Sequence, residues 1–329
     1  MPAPGSLRPH RRVIWIGVAC ALAVIAIWTS FILVARASAT RSLPPFDIAW
    51  LRFAFAGAVA LPVLLWRGWQ SLIDGLGGDA RTALQRGAAL TATAGVGYCA
   101  LAYSGFFFAP VAHAAVLMPG SLPLWTALFA WLLIDERFSS QRIAGLLLIA
   151  AGGLLVGGQS VWLAFTGAGT VWRGDVLFML GGVVWALYGV LCRRWRVGAL
   201  DATLAIALGC LFSAVPLYGL AVAAGAVPTG LTTAPWSELA WQATFQGGLS
   251  MWLAGLAYTQ VVQTFGPLRS TMMTSVVPPL AALAAVPLLG EPLSAAALGG
   301  LACVTLGLLV GLRAPAGGAL SAPARVQTT

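Results

Sequence analysis

Two proline-bearing stretches interrupt long apolar segments of the sequence. The first is "MPGSLP", Met118 to Pro123, and the second is "SVVPP", Ser275 to Pro279. Each proline removes one backbone hydrogen bond from a helix and frees a carbonyl oxygen. Lipid cannot satisfy such a carbonyl, whereas a water-lined cavity can. The stretches therefore predict a solvated site at mid-depth in a membrane, although a kink that serves only helix packing explains the same pattern.

His113 is a titratable side chain inside one of these apolar segments, three residues after Pro110. Ionisable residues within a membrane are functional candidates by default, and an imidazole exchanges its proton near neutral pH. We expect His113 either to bind a substrate carboxylate or to carry a coupling proton. The alternative is a histidine near the membrane interface that only satisfies a local partner.

Aromatic residues recur at matched places in the chain and complete the candidate cavity. Indole and phenol rings combine an apolar face with one hydrogen bond, which suits amphipathic organic solutes. Plain helix packing is the alternative for each ring taken singly. The predicted cavity residues are Trp28, Tyr103, His113, Met118, Pro119, Ser121, Pro123, Trp185, Tyr188, Tyr258, Thr274, Ser275 and Pro278.

Four charged residues are candidates for structural or coupling roles: Asp47, Arg52, Glu136 and Glu291. Arg52 lies within an apolar segment, where it can pair with Asp47 or bind helix ends, and we expect it to anchor structure. Glu136 and Glu291 each follow an apolar segment directly, so we expect them to cap the next helix or to pair with a loop arginine. They fall on opposite faces of the membrane and cannot form a catalytic carboxylate pair.

The composition indicates an integral membrane protein. Of the 329 residues, 60% are hydrophobic and 8% are charged, against about 25% charged in soluble domains. All 18 basic residues are arginine, which excludes a P-loop lysine and a lysine Schiff base. The five cysteines are dispersed in apolar segments, so we expect no disulfide, metal site or cofactor. The arginines are scattered between apolar runs, so we expect them to orient the protein and not to bind nucleic acid.

Ten segments are long and apolar enough to be predicted as membrane spans. They cover residues 13–35, 46–66, 87–107, 110–134, 142–160, 174–192, 202–226, 240–263, 267–289 and 293–312. A cytoplasmic N-terminus puts only Arg36, Arg41 and Arg173 outside, which favours both termini in the cytoplasm. The first segment is too long for a signal-peptide core, so we expect no cleavage after "ASA" at 37–39.

The sequence contains an internal repeat at a spacing of about 155 residues. It matches residue types in order over five consecutive spans: Trp28 with Trp185, Tyr103 with Tyr258, Pro123 with Pro278, Glu136 with Glu291, Gly145 with Gly300 and Gly152 with Gly307. We therefore predict repeats over 13–160 and 174–312, a linker over 161–173, and cytoplasmic tails over 1–12 and 313–329. Five spans per repeat is an odd number, so the copies enter the membrane from opposite faces, as in many secondary transporters.

The chain resembles the EamA group of the drug/metabolite transporter superfamily. The matching residues are the Trp28 and Trp185 motifs, Arg52 in "WLRFAFAG", and "P…LLIDERFS" with its counterpart "P…PLLGEPLS", each followed by a glycine-bearing helix. The resemblance covers nearly the whole chain and implies an all-α, ten-helix fold. It also implies a central cavity between the first, third and fourth helices of each half. One departure is that Arg52 aligns with Ile206.

Together these features predict a secondary transporter in a bacterial inner membrane, with export of a metabolite, amino acid or drug as the expected direction. The scarcity of buried carboxylates favours facilitated or exchange transport over proton coupling. The alternative is a membrane sensor or partner subunit that transports nothing. An enzyme is not expected, because the sequence lacks HExxH, GxSxG and paired membrane aspartates. GxxxG at Gly153/Gly157 and Gly307/Gly311 allows a homodimer through the fifth or tenth helix.

Overall fold

The computed structural model describes residues 11–39, 41–167, 169–265, 273–274 and 276–313. Ser275, one of the predicted cavity residues, lies outside this described part. Within it the chain forms helices joined by short connections, and no strand occurs. This confirms the all-α class for the described residues.

The first half contains five helical segments, α1 to α5, and α3 and α4 each consist of consecutive pieces. Their bounds are Arg11–Ser38 (α1), Pro45–Arg67 (α2), Ala80–Leu90, Thr91–Gly97 and Tyr98–Phe106 (α3), Val111–Ala115, Val116–Gly120 and Leu122–Ile134 (α4), and Ser140–Phe165 (α5). A short helix, Trp69–Leu76, precedes α3.

The second half repeats this order in α6 to α10. The bounds are Val171–Trp195 (α6), Ala199–Phe212 and Ala214–Ala223 (α7), Trp236–Gln242, Ala243–Leu253 and Ala254–Phe265 (α8), Val277–Leu289 (α9) and Ala295–Arg313 (α10). The predicted linker 161–173 is mostly helical, because the apolar run "VWLAF" extends α5 to Phe165 and α6 begins at Val171.

Six helical segments of the described chain are long and apolar enough to cross a membrane. They are Arg12–Ser38, Pro45–Arg67, Val111–Ile134, Ser140–Phe165, Val171–Trp195 and Ala199–Ala223, while Val277–Leu289 and Ala295–Gly311 are apolar but shorter. The protein therefore crosses the membrane several times. The count of ten crossings stays a prediction.

Each half packs on the other through the same set of helices: the contacts that the first half makes with the second are also made by the second with the first. In one direction α1 packs on α8 and α9, and in the other α6 packs on α3 and α4. Likewise α2 packs on α8 and α7 on α3, while α5 and α10 form a long pair. Such packing is the arrangement that two related halves adopt about a pseudo-two-fold axis.

The interruption predicted at "MPGSLP" is a π-helical turn over Val116–Gly120, with Pro119 inside it. Longer π-helical stretches occur in α3 over Thr91–Gly97 and in α8 over Ala243–Leu253. A π turn inserts an extra residue into a helix, and such turns are frequent at functional sites. All three adjoin α6 or α2, so the irregular backbone lies at the contact between halves.

Glycines let α5 and α10 approach each other backbone to backbone. A Cβ added at Gly145 would stand 2.6 Å from the carbonyl oxygen of Gly307, and one at Gly152 would stand 2.6 Å from that of Gly300. A Cβ at Gly153 or Gly157 would meet Leu117 of α4 instead. These glycines therefore have neighbours within the chain, and the homodimer through GxxxG stays a prediction that this packing does not require.

The α5–α10 contact predicts a matched pair of glycine variants. We expect Gly152→Ala to lower the midpoint of thermal unfolding in detergent, because forced overpacking costs about 1–3 kcal/mol. Gly158→Ala is the control, since nothing lies within 4 Å of a Cβ added there. Equal midpoints for the two variants would contradict the close contact.

Candidate functional site between the two halves

A series of buried hydrogen bonds runs along one face of α8. Gln242 Nε2 donates to Ser38 Oγ of α1 at 2.6 Å, and Gln246 Nε2 donates to Gln242 Oε1 at 3.4 Å. The Tyr103 hydroxyl of α3 donates to Gln246 Oε1 at 2.9 Å. We call Ser38, Tyr103, Gln242 and Gln246 the polar chain. It joins helices of both halves and satisfies groups that would be costly to bury alone.

Arg52 lies beside the polar chain, about 10 Å along α2 from its start at 1.5 Å per residue. Only 6% of its surface is accessible. Its Nη1 donates to Ser250 Oγ of α8 at 3.2 Å, and its guanidinium lies 5.8 Å from the centre of the Phe31 ring. The Tyr103 hydroxyl is a further neighbour. Arg52 thus connects α2 to α1, α3 and α8 through uncharged groups.

Asp47 does not pair with Arg52. Its carboxylate is fully buried and accepts from the Tyr218 hydroxyl at 2.8 Å, the Thr229 hydroxyl at 2.9 Å and the Gly230 N–H at 2.7 Å. Asp47 therefore anchors the connection between α7 and α8 on the start of α2.

Aromatic rings form two clusters across the halves, each with a tryptophan of a first helix and a tyrosine of the opposite third helix. Trp28 and Tyr258 have ring centres 5.2 Å apart. Trp185 lies 4.6 Å from Tyr98 and 5.3 Å from Tyr188. The predicted rings are therefore brought together, except that Trp185 meets Tyr98 while Tyr103 joins the polar chain and Phe31.

The proline stretch of α4 satisfies one of its own backbone groups. Ser121 Oγ donates to the Leu117 carbonyl at 2.6 Å and accepts from Trp125 Nε1 at 3.1 Å. Met118 and Ser121 are buried, and Pro119 is half-buried. A Cβ at Gly182 of α6 would stand 3.1 Å from the Met118 carbonyl. The interruption thus lies directly against the other half.

The remaining predicted cavity residues differ in burial. Pro278 is buried near the start of α9, while Pro123 and Thr274 are half-buried.

His113 binds a buried carboxylate that the sequence interpretation missed. Its Nδ1 lies 2.7 Å from Asp175 Oδ1 of α6, and Ser160 Oγ of α5 donates to the other carboxylate oxygen. Asp175 is 3% exposed. Since Asp47 and Asp175 are both buried, the premise that buried carboxylates are scarce is wrong, and it no longer weighs against proton coupling.

Two ion pairs join the halves at opposite ends of the helices, which we name the Arg36 end and the Arg193 end. At the Arg36 end, Arg36 Nε lies 2.5 Å from Glu291 Oε1, and Glu291 Oε2 accepts from the Val111 N–H at 2.8 Å. Arg36 Nη1 also donates to the Phe106 carbonyl at 2.5 Å. The Glu291 carboxylate, in the connection between α9 and α10, thus binds both the end of α1 and the start of α4.

The Arg193 end carries the related pair. Arg193 Nη2 lies 2.5 Å from Glu136 Oε2, and Arg142 Nη1 lies 3.5 Å from Glu136 Oε1. Both glutamates thus pair with an arginine, but Arg36 and Arg193 lie in the last turns of α1 and α6 and not in loops. The following helices are capped by Ser139 and Ser294 and not by the glutamates. The Arg193 side chain is 59% exposed against 23% for Arg36. The two ion pairs thus join corresponding residues, but their arginines differ in exposure to solvent.

A pocket of about 380 Å³ opens at the Arg36 end, next to the polar chain. It is lined by Val34, Ala37, Ser38, Arg41 and Trp241. Ser38 both lines the pocket and belongs to the polar chain, so the polar chain reaches the pocket wall.

The functional candidates that sequence reasoning missed are Asp175, Gln242, Gln246 and Ser250. The four-residue spacing of Gln242, Gln246 and Ser250 within the predicted span 240–263 was a signal for the last three. Asp175 is a lone carboxylate at the start of the predicted span 174–192, which was itself a signal.

Comparisons with known proteins agree on a transporter family. The model of the EamA-like transporter family matches residues 15–158 and 172–313. An uncharacterized transporter of Bacillus subtilis (strain 168), YyaM, is 25% identical over 81% of this chain and 83% of its own length. The aromatic amino acid exporter YddG of Ancylobacter novellus is 28% identical over 52% of this chain and 56% of its own. A solved crystal structure with a TM-score of 0.56, 22% identity and coverage of 90% and 96% supports the fold.

The two ion pairs predict unequal costs for one substitution. We expect Glu291→Gln to cost about 1–3 kcal/mol of stability, because it removes the charge partner of a mostly buried arginine. The more exposed Glu136→Gln is expected to cost under about 1 kcal/mol. Thermal unfolding in detergent measures both, and a Glu136→Gln loss as large as that of Glu291→Gln would contradict the difference.

Proposed function

The chain belongs to the EamA-like transporter family, and from that premise we propose that it is a secondary transporter which moves a small organic solute by alternating access. The observation that carries the proposal is that corresponding helices of the two halves make corresponding contacts. Helix α1 packs on α8 and α9, and α6 packs on α3 and α4. Two related halves in such contact can tilt about each other and open the site between them to either side in turn.

The proposal includes ten crossings in two inverted five-helix repeats, residues 13–160 and 174–312, in a bacterial inner membrane. The six long apolar helices and two shorter ones supply most of these crossings, and α3 and α8 supply the others. The arginine distribution supports a cytoplasmic location for both termini and for the Arg193 end. The Arg36 end then faces outwards.

The ion pairs at the two ends are proposed to act as alternating ties between the halves. Each joins the end of a first helix to the residue after a fourth helix of the other half. Opening one end requires breaking its pair, while the pair at the other end keeps the halves together. Charged pairs suit this task because a partly wet pair has a small net free energy and forms and breaks readily.

The solute is proposed to bind between the aromatic clusters and the proline interruption of α4. Rings from Trp28, Tyr258, Trp185 and Tyr98 offer apolar faces of the kind that hold organic solutes. YddG of Ancylobacter novellus is named an aromatic amino acid exporter, which supports export and a solute with an apolar or aromatic body for this chain.

The paired His113 and Asp175 are proposed to bind the coupling proton. Imidazole accepts a proton in the pH range across which an inner membrane maintains its gradient, and the buried Asp175 carboxylate stabilises the charged ring. Other charges near the start of α4 are Glu291, which accepts from Val111, and Arg36. Protonation would thus strengthen a contact between α4 and α6.

Transport in proteoliposomes tests the proposed cavity. We expect Trp185→Ala to lower the transport rate about tenfold with expression intact, since a lost ring contact alone is worth about 0.5–1.5 kcal/mol. Pro278→Ala is expected to lower the rate as well, because alanine restores the backbone N–H that proline lacks. Trp66→Ala, at a tryptophan that is 87% exposed, is the matched control. If no solute in a screen is transported and a partner protein co-purifies, the sensor or subunit alternative is favoured. Normal transport by both variants would contradict the proposed solute-binding cavity.

A pH series tests the proposed coupling site. We expect His113→Ala and Asp175→Asn to abolish the response of transport to an imposed pH gradient. The reason is that each variant removes one half of the proton-binding pair. His10→Ala, at the other of the chain's two histidines, serves as the control. The coupling role would be refuted by a wild type that ignores the gradient, or by a His113→Ala protein that still follows it.

A further inference from the structure

Arg52 is a buried cation for which the protein supplies no counter-charge. The chain has nine acidic residues, and all of them lie in the described part. None forms an ion pair with Arg52, and the nearest candidate along the chain, Asp47, is held by Tyr218, Thr229 and Gly230. The missing partner is therefore not a residue hidden elsewhere in the sequence.

The groups around Arg52 meet only a small part of its hydrogen-bonding capacity. A guanidinium has five N–H donors, and one bond, to Ser250 Oγ, is formed by Nη1. The Phe31 ring and the Tyr103 hydroxyl add weak, uncharged contacts. A charge taken out of water is costly unless it is paired and hydrogen-bonded. The described partners of Arg52 are uncharged, so its buried guanidinium is suited to pair with an anion.

The repeat shows that the fold itself does not need an arginine here. The counterpart of Arg52 is Ile206, and that of Ser250 is Gly95, 155 residues earlier. These two counterparts are also in contact, since a Cβ on Gly95 would stand 3.2 Å from Ile206 Cγ2. One half thus makes the same helix contact with apolar groups alone. The charged version is a departure that packing does not explain.

We propose that Arg52 binds the carboxylate of the transported solute. The inference rests on the proposed transport function and names the class of its substrate, an organic carboxylate with an apolar or aromatic body. Planar guanidinium and carboxylate groups form two parallel hydrogen bonds, and one cation matches one monoanion. The Ser250 hydroxyl lies beside Arg52 and can donate to the bound anion.

The surroundings fit the rest of such a solute. Trp28 precedes Phe31 by three residues on α1, and Tyr258 follows Ser250 by eight on α8, so this ring pair lies on the same faces as the contacts of Arg52. Apolar ring faces one or two turns from a cation match a molecule with an aromatic end and a carboxylate end.

The route to the Arg36 end also favours anions. The polar chain runs from Tyr103, beside Arg52, to Ser38 in the lining of the pocket, which also includes Arg41 and no acidic residue. Glu238 lies one turn before Gln242 and accepts from Ser42. A cation at each end of a mostly neutral path raises the local concentration of anions.

Matched compounds test the proposal on the unaltered protein. The probes are 3-phenylpropionate and 3-phenylpropionamide, which share one shape and differ in charge, together with L-phenylalanine and L-phenylalaninamide. Affinity is read from the shift in thermal midpoint in detergent, and transport from uptake into proteoliposomes. We expect each carboxylate to bind at least about tenfold more tightly than its amide, equivalent to about 1.4 kcal/mol.

Variants then assign the preference to Arg52. We expect Arg52→Gln to bind acid and amide equally, and Arg52→Lys to keep a reduced preference because it retains the charge but loses the fork. Arg81→Gln, an exposed position with the same change in net charge, should behave as wild type. If Arg52→Gln does not fold, Arg52→Lys and the wild-type series decide the matter.

Three results would overturn the proposal: equal binding of acid and amide by the wild type, binding of none of the four compounds, or a folded Arg52→Gln protein that still prefers acids. Transport of neutral or cationic solutes without any preference for carboxylates would leave the transport function standing and remove only the role of Arg52. A broad screen in which no solute moves would instead remove the transport function itself.

Discussion

The contact between the two halves is governed by the requirement that polar groups in an apolar surrounding find partners inside the protein. Lipid offers no hydrogen bonds, so a buried donor or acceptor is costly unless another group of the protein binds it. The polar chain, the His113–Asp175 pair and the two arginine–glutamate pairs are solutions to this requirement, and each of them crosses from one half to the other. The bonds that satisfy these groups therefore also hold the halves in register.

Residues that occur in both repeats and residues that differ between them have different roles. Tryptophans of the first helices, glutamates after the fourth helices and glycines of the fifth helices occur in both halves and build the frame. Arg52 against Ile206 and Gln246 against Thr91 break the repeat, and both lie around one place at the contact of α2, α3 and α8. In the proposed transport cycle, the related halves must be able to open to either side, which symmetric packing allows. A solute whose two ends differ requires a binding site whose two sides differ as well.

The sequence predicted those features that depend on short stretches of neighbouring residues. Apolar length predicted the long helices, and the proline stretch predicted the interruption of α4. The pairing of His113 with Asp175 spans 62 residues, and that of Tyr103 with Gln246 spans 143, so no local pattern could match the partners. The same reason explains Asp47, whose nearness to Arg52 in sequence suggested a pair, while its actual partners come from α7 and the loop that follows it. Partner choice depends on how the halves pack, which composition and periodicity leave open.

The unequal ties at the two ends bear on the direction of transport. At the Arg36 end one carboxylate holds an arginine and a helix-start N–H, and the same arginine also holds a carbonyl. At the Arg193 end the arginine is exposed to water, where competition with solvent weakens a pair. Opening the Arg193 end therefore costs less than opening the Arg36 end. If the arginine-rich end lies in the cytoplasm, as proposed, this difference favours an inward-facing state and loading of the solute from the cytoplasm. A carboxylate that then reaches Arg52 supplies the charge which the interior lacks. In the proposed cycle, release of the solute toward the Arg36 end requires the Arg36–Glu291 pair to break.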